Sequence, residues 1–216
     1  MLDFITQKTG ENPELLVIWL HGLGADGHDF EPVVPQFVNP DKAIQFIFPH
    51  APIQPVTING GMKMRSWYDI KMMDIGKMPD EAGIRESEEK VLELIEAQIK
   101  AGFKAEQIVL AGFSQGGAIA LHTSVRTQHK LAGVVALSCY LPIAEKLSAE
   151  QSGTNLTTPF FIGHGSHDPV VPFELGKSSN QALQAEGYQT SWHEYPLQHG
   201  VSMDEIEDIK RFILSL

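Results

Sequence analysis

Strand-like segments, most of them short apolar runs, recur along the chain at residues 15–20, 43–48, 107–113, 131–138, 159–163 and 190–195, separated by stretches with helical periodicity. Apolar runs with little alternation are what strands require when both faces of a sheet are covered. Residues 81–101 predict a long helix: Ile84, Val91, Ile95 and Ile99 share one face, and Glu86, Glu89, Glu93 and Glu96 keep to the other. A second helix is expected after Ser114, and a third over 174–186, stopped by Gly187. The last helix opens with Ser202 and Glu205 in a capping-box arrangement, and its stripe of Ile206, Ile209, Ile213 and Leu216 docks the C-terminus onto the sheet.

This alternation predicts an α/β architecture, a mostly parallel central sheet with helices on both faces. No repeat, low-complexity tract or linker divides the chain, so residues 1–216 are expected to form one domain without a large cap. The one irregular region is 49–79, and a loop that long in a compact domain is usually functional.

Charge narrows the partners. Against 27 Asp and Glu the 216 residues carry 16 Lys and Arg, a formal charge of -11, with no dense basic run to neutralise a phosphate backbone. Nucleic acid is therefore not an expected partner. The opening "MLDFITQKTGENPE" has no basic or apolar export region, and "LLVIWL" is too short to span a bilayer. With one cysteine, Cys139, in an apolar run, no internal disulfide is possible. A soluble, cytoplasmic protein is the expectation.

The candidate chemistry begins at "AGFSQGGAIAL". A lone G-x-S-x-G is a weak signal, but here a strand enters the turn and a small-residue helix leaves it, as a nucleophile elbow requires. Gly112 and Gly116 suit a strained backbone with no room for neighbouring Cβ atoms. A serine hydroxyl needs a histidine base, and the base needs a carboxylate to hold its tautomer. Beyond Ser114 the aspartates are Asp168, Asp204 and Asp208, and the last two follow every histidine. With the order Ser, acid, His, Asp168 remains. It sits in "FFIGHGSHDPVVP", just past a predicted strand, where ligands gather in open parallel sheets. Of the histidines that follow, His193 lies inside a predicted strand and His199 on the loop after it, so His199 is the expected base. His164 and His167 read as supporting or turn residues.

Acyl transfer also needs N–H donors aimed at the oxyanion. Gln115, after the nucleophile, is expected to supply one from its backbone and Leu23, in "WLHGLGADGHDF", the other. The same glycines lack the Lys-Ser/Thr of a phosphate loop and the dinucleotide G-x-G-x-x-G pattern.

With these pieces in place, the sequence resembles the bacterial carboxylesterase and acyl-protein thioesterase family of α/β-hydrolases. "HGLGADGHDF", "APIQPVTINGGMKMRSWYDI", "GFSQGGAIAL", "HDPVVP" and the terminal histidine loop follow one another nearly end to end, in the family's order. The resemblance implies the same Ser114, Asp168 and His199, the same oxyanion donors, no metal or organic cofactor, and a homodimer. One departure is Leu197-Gln198, where a small residue is expected beside the histidine.

The expected activity is therefore hydrolysis of short- to medium-chain carboxylic esters through an acyl-enzyme on Ser114, with thioesters, lysophospholipids and acylated proteins as further substrates. Five methionines, Met62, Met64, Met72, Met73 and Met78, fall in the irregular region. Met72, Met73, Ile75 and Trp67 are candidates for an adaptable acyl wall. For Trp67, Arg65 and Asp69 a place in the core is an equal reading. Residues 62–78 are also the expected place of any transient membrane contact. Two rivals stay open: a hydrolase-fold protein that binds lipid or a partner without turnover, and an amidase or peptidase on the same residues.

Overall fold

The computed structural model describes residues 1–72 and 79–216. Seven strands form one sheet in the order β1-β3-β2-β6-β7-β8-β9. They are β1 (Phe4–Lys8), β2 (Leu15–Leu20), β3 (Ile44–Pro49), β6 (Ile108–Phe113), β7 (Gly133–Leu137), β8 (Pro159–Gly165) and β9 (Gln189–Tyr195). All neighbours are parallel except β1, which pairs antiparallel with β3. A separate hairpin joins β4 (Ile53–Val56) to β5 (Met62–Arg65). The helices are α1 (Glu81–Lys100), α2 (Gln115–Arg126), the single turn α3 (Leu147–Glu150), α4 (Phe173–Ala185) and α5 (Met203–Ser215).

The apolar runs are continuous in the inner strands because each of those strands feeds two cores. In β2 all six residues are buried. Leu16, Ile18 and Leu20 face one core with Ile84, Val91, Leu94 and Ile95 of α1, the small residues of α2 and Leu183 of α4. Leu15, Val17 and Trp19 face the other, with Val34 and Phe37 of a 3-10 segment (Glu31–Phe37) and Ile206, Ile209 and Ile213 of α5. Burying one such isoleucine contributes roughly 1.5–3 kcal/mol, so the α5 stripe is what holds that helix down. No helix among the described residues is long and apolar enough to cross a membrane.

Three strands lie outside the six expected. In β1 only two of five residues are even half-buried, as an edge position allows. The β4–β5 hairpin lies within the irregular region, where Pro55 and exposed side chains hide it, and Gly60 and Gly61 turn the chain at φ 66° and 77°.

The expected capping box at α5 closes on one side only. Ser202 Oγ accepts from the Glu205 backbone N–H at 3.1 Å. The Glu205 side chain, 1 % exposed, instead turns inward against Gly163, and neither carboxyl oxygen has a hydrogen-bond partner among the described residues. Burial, reinforced by the Asp208 carboxylate, pushes its pKa from 4.5 up to about 8. The native chain thus holds a proton that the unfolded chain releases, and stability is lost as pH rises from about 5 to about 8. Glu205→Gln removes this penalty. Its stability should exceed that of the wild type by an amount that grows across this window, on the order of 4 kcal/mol at its upper end. Denaturant melts at several pH values measure the gap, and a constant difference would mean that Glu205 is charged throughout.

Candidate active site

Ser114 sits between the end of β6 and the start of α2 with φ 54° and ψ −119°, a left-handed conformation costly for a residue with a side chain. The turn persists because its surroundings fix it. The Ser114 N–H donates to Leu137 O at 2.9 Å, and the Ala118 N–H donates back to Ser114 O at 3.0 Å. A Cβ on Gly116 would run into the carbonyls of Leu20 and His21, and one on Gly112 into the carbonyl of Gly116. These are the close approaches that the two glycines permit.

His199 Nε2 accepts from Ser114 Oγ at 2.9 Å, and its Nδ1–H donates to Asp168 Oδ2 at 2.7 Å. The second Asp168 oxygen accepts the N–H groups of Val170, at 2.8 Å, and Val171, at 2.9 Å. Burial alone would raise the Asp168 carboxyl, but its hydrogen bonds from His199, Val170 and Val171 outweigh this and hold it below its ordinary value. His164 supports the same loop: its Nε2–H donates to Val171 O at 3.0 Å. Leu197-Gln198 is pinned beside it. The His167 N–H donates to Leu197 O at 3.1 Å, and the 197–198 backbone crosses tightly over Gly165. Phe113 packs on the His199 ring, with centroids 4.9 Å apart.

The loop after β2 faces this line from the other side. The His21 Nδ1–H donates to Gly22 O at 2.7 Å, so its Nε2 is free to accept the Ala51 N–H at 3.0 Å. The Gly24 N–H donates to Arg65 O at 2.9 Å, which ties the loop to the β4–β5 hairpin. The Gln115 side chain makes a second tie: its Oε1 accepts the Trp67 N–H at 2.7 Å and its Nε2 donates to Tyr68 O at 2.7 Å. The backbone N–H groups of Leu23 and Gln115 have no acceptor among the described residues, and both residues line the cavity that contains Ser114 and His199. That cavity measures about 270 Å³.

The structure therefore brings together Ser114, Asp168, His199, Leu23 and Gln115. His193 lies elsewhere, stacked on Phe161 at 4.1 Å on edge strand β9. Trp67 does not form an acyl wall. At 1 % exposure it is core, its indole N–H donating to His21 O at 2.8 Å. Met72 is 45 % exposed and does not line the cavity. Met73 and Ile75 lie outside the described residues. Arg65 and Asp69 serve the loop framework, Arg65 through Ala51 O and Asp69 through Thr57. The apolar lining comes instead from Tyr68, Ile70, Tyr140, Val170 and Val171, beside Leu23, Ala25 and Phe113. Tyr140, Val170 and Val171 follow predicted strand ends, the signal that could have identified them. No group of three or more His, Cys, Asp or Glu side chains placed to hold a metal ion occurs among the described residues.

The sequence profile of the Phospholipase/Carboxylesterase family matches residues 3–216. Acyl-protein thioesterase 1 of Neurospora crassa is 39 % identical over 207 residues, which cover 91 % of this chain and 84 % of that protein. Acyl-protein thioesterase 1 of Yarrowia lipolytica is 39 % identical over 203 residues, with 91 % and 89 % covered. Both relatives are eukaryotic rather than bacterial. Among solved structures, Arabidopsis thaliana SOBER1 superposes with a TM-score of 0.86 at 31 % identity, covering 93 % of this chain and 98 % of that one. Acyl-protein thioesterase 2 of Zea mays gives 0.87 at 25 % identity over 100 % and 99 %. Profile, relatives and fold agree: the chain belongs to the phospholipase/carboxylesterase family of α/β-hydrolases and is a hydrolytic enzyme.

Proposed function

We propose that the chain, acting as one domain, is a serine esterase that cleaves short- to medium-chain carboxylic esters and thioesters through an acyl-enzyme on Ser114. The observation that carries this reading is the unbroken hydrogen-bonded line from Asp168 through His199 to Ser114, at the wall of an apolar cavity. His199 takes the Ser114 proton as the hydroxyl oxygen attacks the acyl carbonyl, and Asp168 stabilises the imidazolium that forms. The N–H groups of Leu23 and Gln115 receive the oxyanion, the latter at the N-terminus of α2, where the helix dipole favours negative charge. His199 then protonates the leaving alcohol or thiol. In a second half-reaction it activates the water that releases the acid. Every proton in this scheme moves between groups of the chain, substrate and water.

The thioester part of the reading draws on the relatives named acyl-protein thioesterases. The chain-length part draws on the cavity, whose 270 Å³ lies at the small end of small-molecule sites. Exposed Met62, at the start of the 62–78 stretch, supports a transient lipid contact, and the single cysteine supports a cytoplasmic setting. Fluorophosphonate labelling followed by peptide mapping tests the central point. A single label on Ser114, lost on denaturation before labelling, is expected. Folded protein that takes up no label at Ser114 would remove the esterase reading and leave that of a binding protein.

A further inference from the structure

We infer that the acyl arm of this cavity selects acyl groups carrying a hydrogen-bond acceptor along the chain, an ether, keto or hydroxyl oxygen, through the paired phenols of Tyr68 and Tyr140. The inference rests on the esterase reading of Ser114 and specifies its substrate class.

Strand order divides the cavity. β6, which delivers Ser114, has β2 on one side and β7 then β8 on the other. Leu23, Ala25 and Asp29 follow β2, whereas Tyr140, Val170 and Val171 follow β7 and β8. Asp29 puts an exposed carboxylate on the β2 side, where an alkyl chain gains little. Val170 and Val171, with Tyr140, line the opposite side, and no charged group stands among them. An acyl chain therefore lies toward β7 and β8, and the leaving group toward Asp29.

That apolar side contains two hydroxyls. Tyr68 and Tyr140 both line the cavity, and their phenolic oxygens are 3.2 Å apart. Each phenol has one hydrogen to donate, and a pair consumes only one of the two. Neither oxygen has another partner among the described residues. Either phenol can be the donor within the pair, and in both arrangements one hydrogen, on Tyr140 or on Tyr68, is left for the cavity. Burial raises both phenols, which stay protonated donors at neutral pH. Water can accept that remaining hydrogen. A plain alkyl chain expels that water and strands the donor, a loss of roughly ten- to a hundredfold in affinity, whereas an oxygen at the right carbon restores the bond.

The test compares p-nitrophenyl heptanoate with esters of length-matched acids in which one methylene is replaced by an ether oxygen at successive positions. Each is measured with the wild type and with Tyr68→Phe/Tyr140→Phe, which keeps both rings. At one oxygen position the ratio of kcat/KM for ether to heptanoate should be about tenfold higher in the wild type than in the double variant. Equal ratios in both proteins at every position would overturn the inference. If the double variant fails to melt cooperatively, Tyr140→Phe alone is scored in the same way. There the favoured oxygen position should vanish or move, and an unchanged profile overturns the inference. Failure of the esterase reading would look different: no label on Ser114 and no turnover of any ester, including acetate.

Discussion

Ser114→Ala should lower kcat for an activated ester about a million-fold, with the fold intact. The loss is that large because the three side chains act as one unit. Without Oγ there is no atom to form the acyl-enzyme, and the His199 Nε2 that accepted its proton at 2.9 Å has none to take. The residual rate comes from the Leu23 and Gln115 N–H groups and from binding. The fold should survive, since what holds the turn is backbone: the Ser114 N–H to Leu137 O and the glycines at 112 and 116. Alanine at φ 54° keeps the strain of serine and does not add to it. Active-site titration guards against trace wild type. Retention of a tenth of the activity would place the nucleophile elsewhere.

Asp168→Asn should lower kcat by about four orders of magnitude, and the neighbours of the carboxylate say why. One Asp168 oxygen accepts two backbone N–H groups, from Val170 and Val171, and those donors require an acceptor. The asparagine carbonyl must therefore take that side. Its NH2 is left facing His199 Nδ1, where the carboxylate had accepted a hydrogen at 2.7 Å. Two donors cannot share that contact, so the imidazole moves its hydrogen to Nε2, and Nε2 can no longer accept from Ser114. The defect is one of tautomer, not of position. Near wild-type activity for Asp168→Asn, with Glu174→Gln inactive, would move the acid role to α4.

Legibility in the sequence followed burial. Five of the six strands that could be read are covered on both faces, and two-sided burial leaves an unbroken apolar run; β9, at the far edge, has no such run and shows only its alternation around Trp192. β1, at an edge, carries Thr6, Gln7 and Lys8 and gives no such run. The grouping of Ser114, Asp168 and His199 in one hydrogen-bonded line could be anticipated because the expected chemistry restricts residue type, chain order and position after a strand. The lining could not be found in that way. Met72 and Trp67 fitted an acyl wall by composition, yet Trp67 was drawn into the core by its indole bond to His21, and Met72 lies out in solvent. Tyr68, the next residue after Trp67, lines the cavity from a bend beyond β5, where no strand or helix period marks which ring meets it. Glu205 misled for a related reason: its backbone caps α5 as the pattern suggests, while its side chain turns inward.

The sheet order also bears on how the enzyme comes to life during folding. The chain lays down β1 at one edge, then β2 further in, fits β3 between them, and continues through β6, β7 and β8 to finish at β9 on the far edge. Ser114 is set near the middle of that sequence, but His199 follows the final strand and is anchored by backbone bonds between the 195–197 segment and residues 166–167. Parallel pairings between distant segments form slowly. The β2–β6 pairing sets Leu16 against Ile108, whereas β8–β9 joins the much nearer Pro159 and Gln189, so hydrolysis should return together with exchange protection of the β2 and β6 amides and not before it.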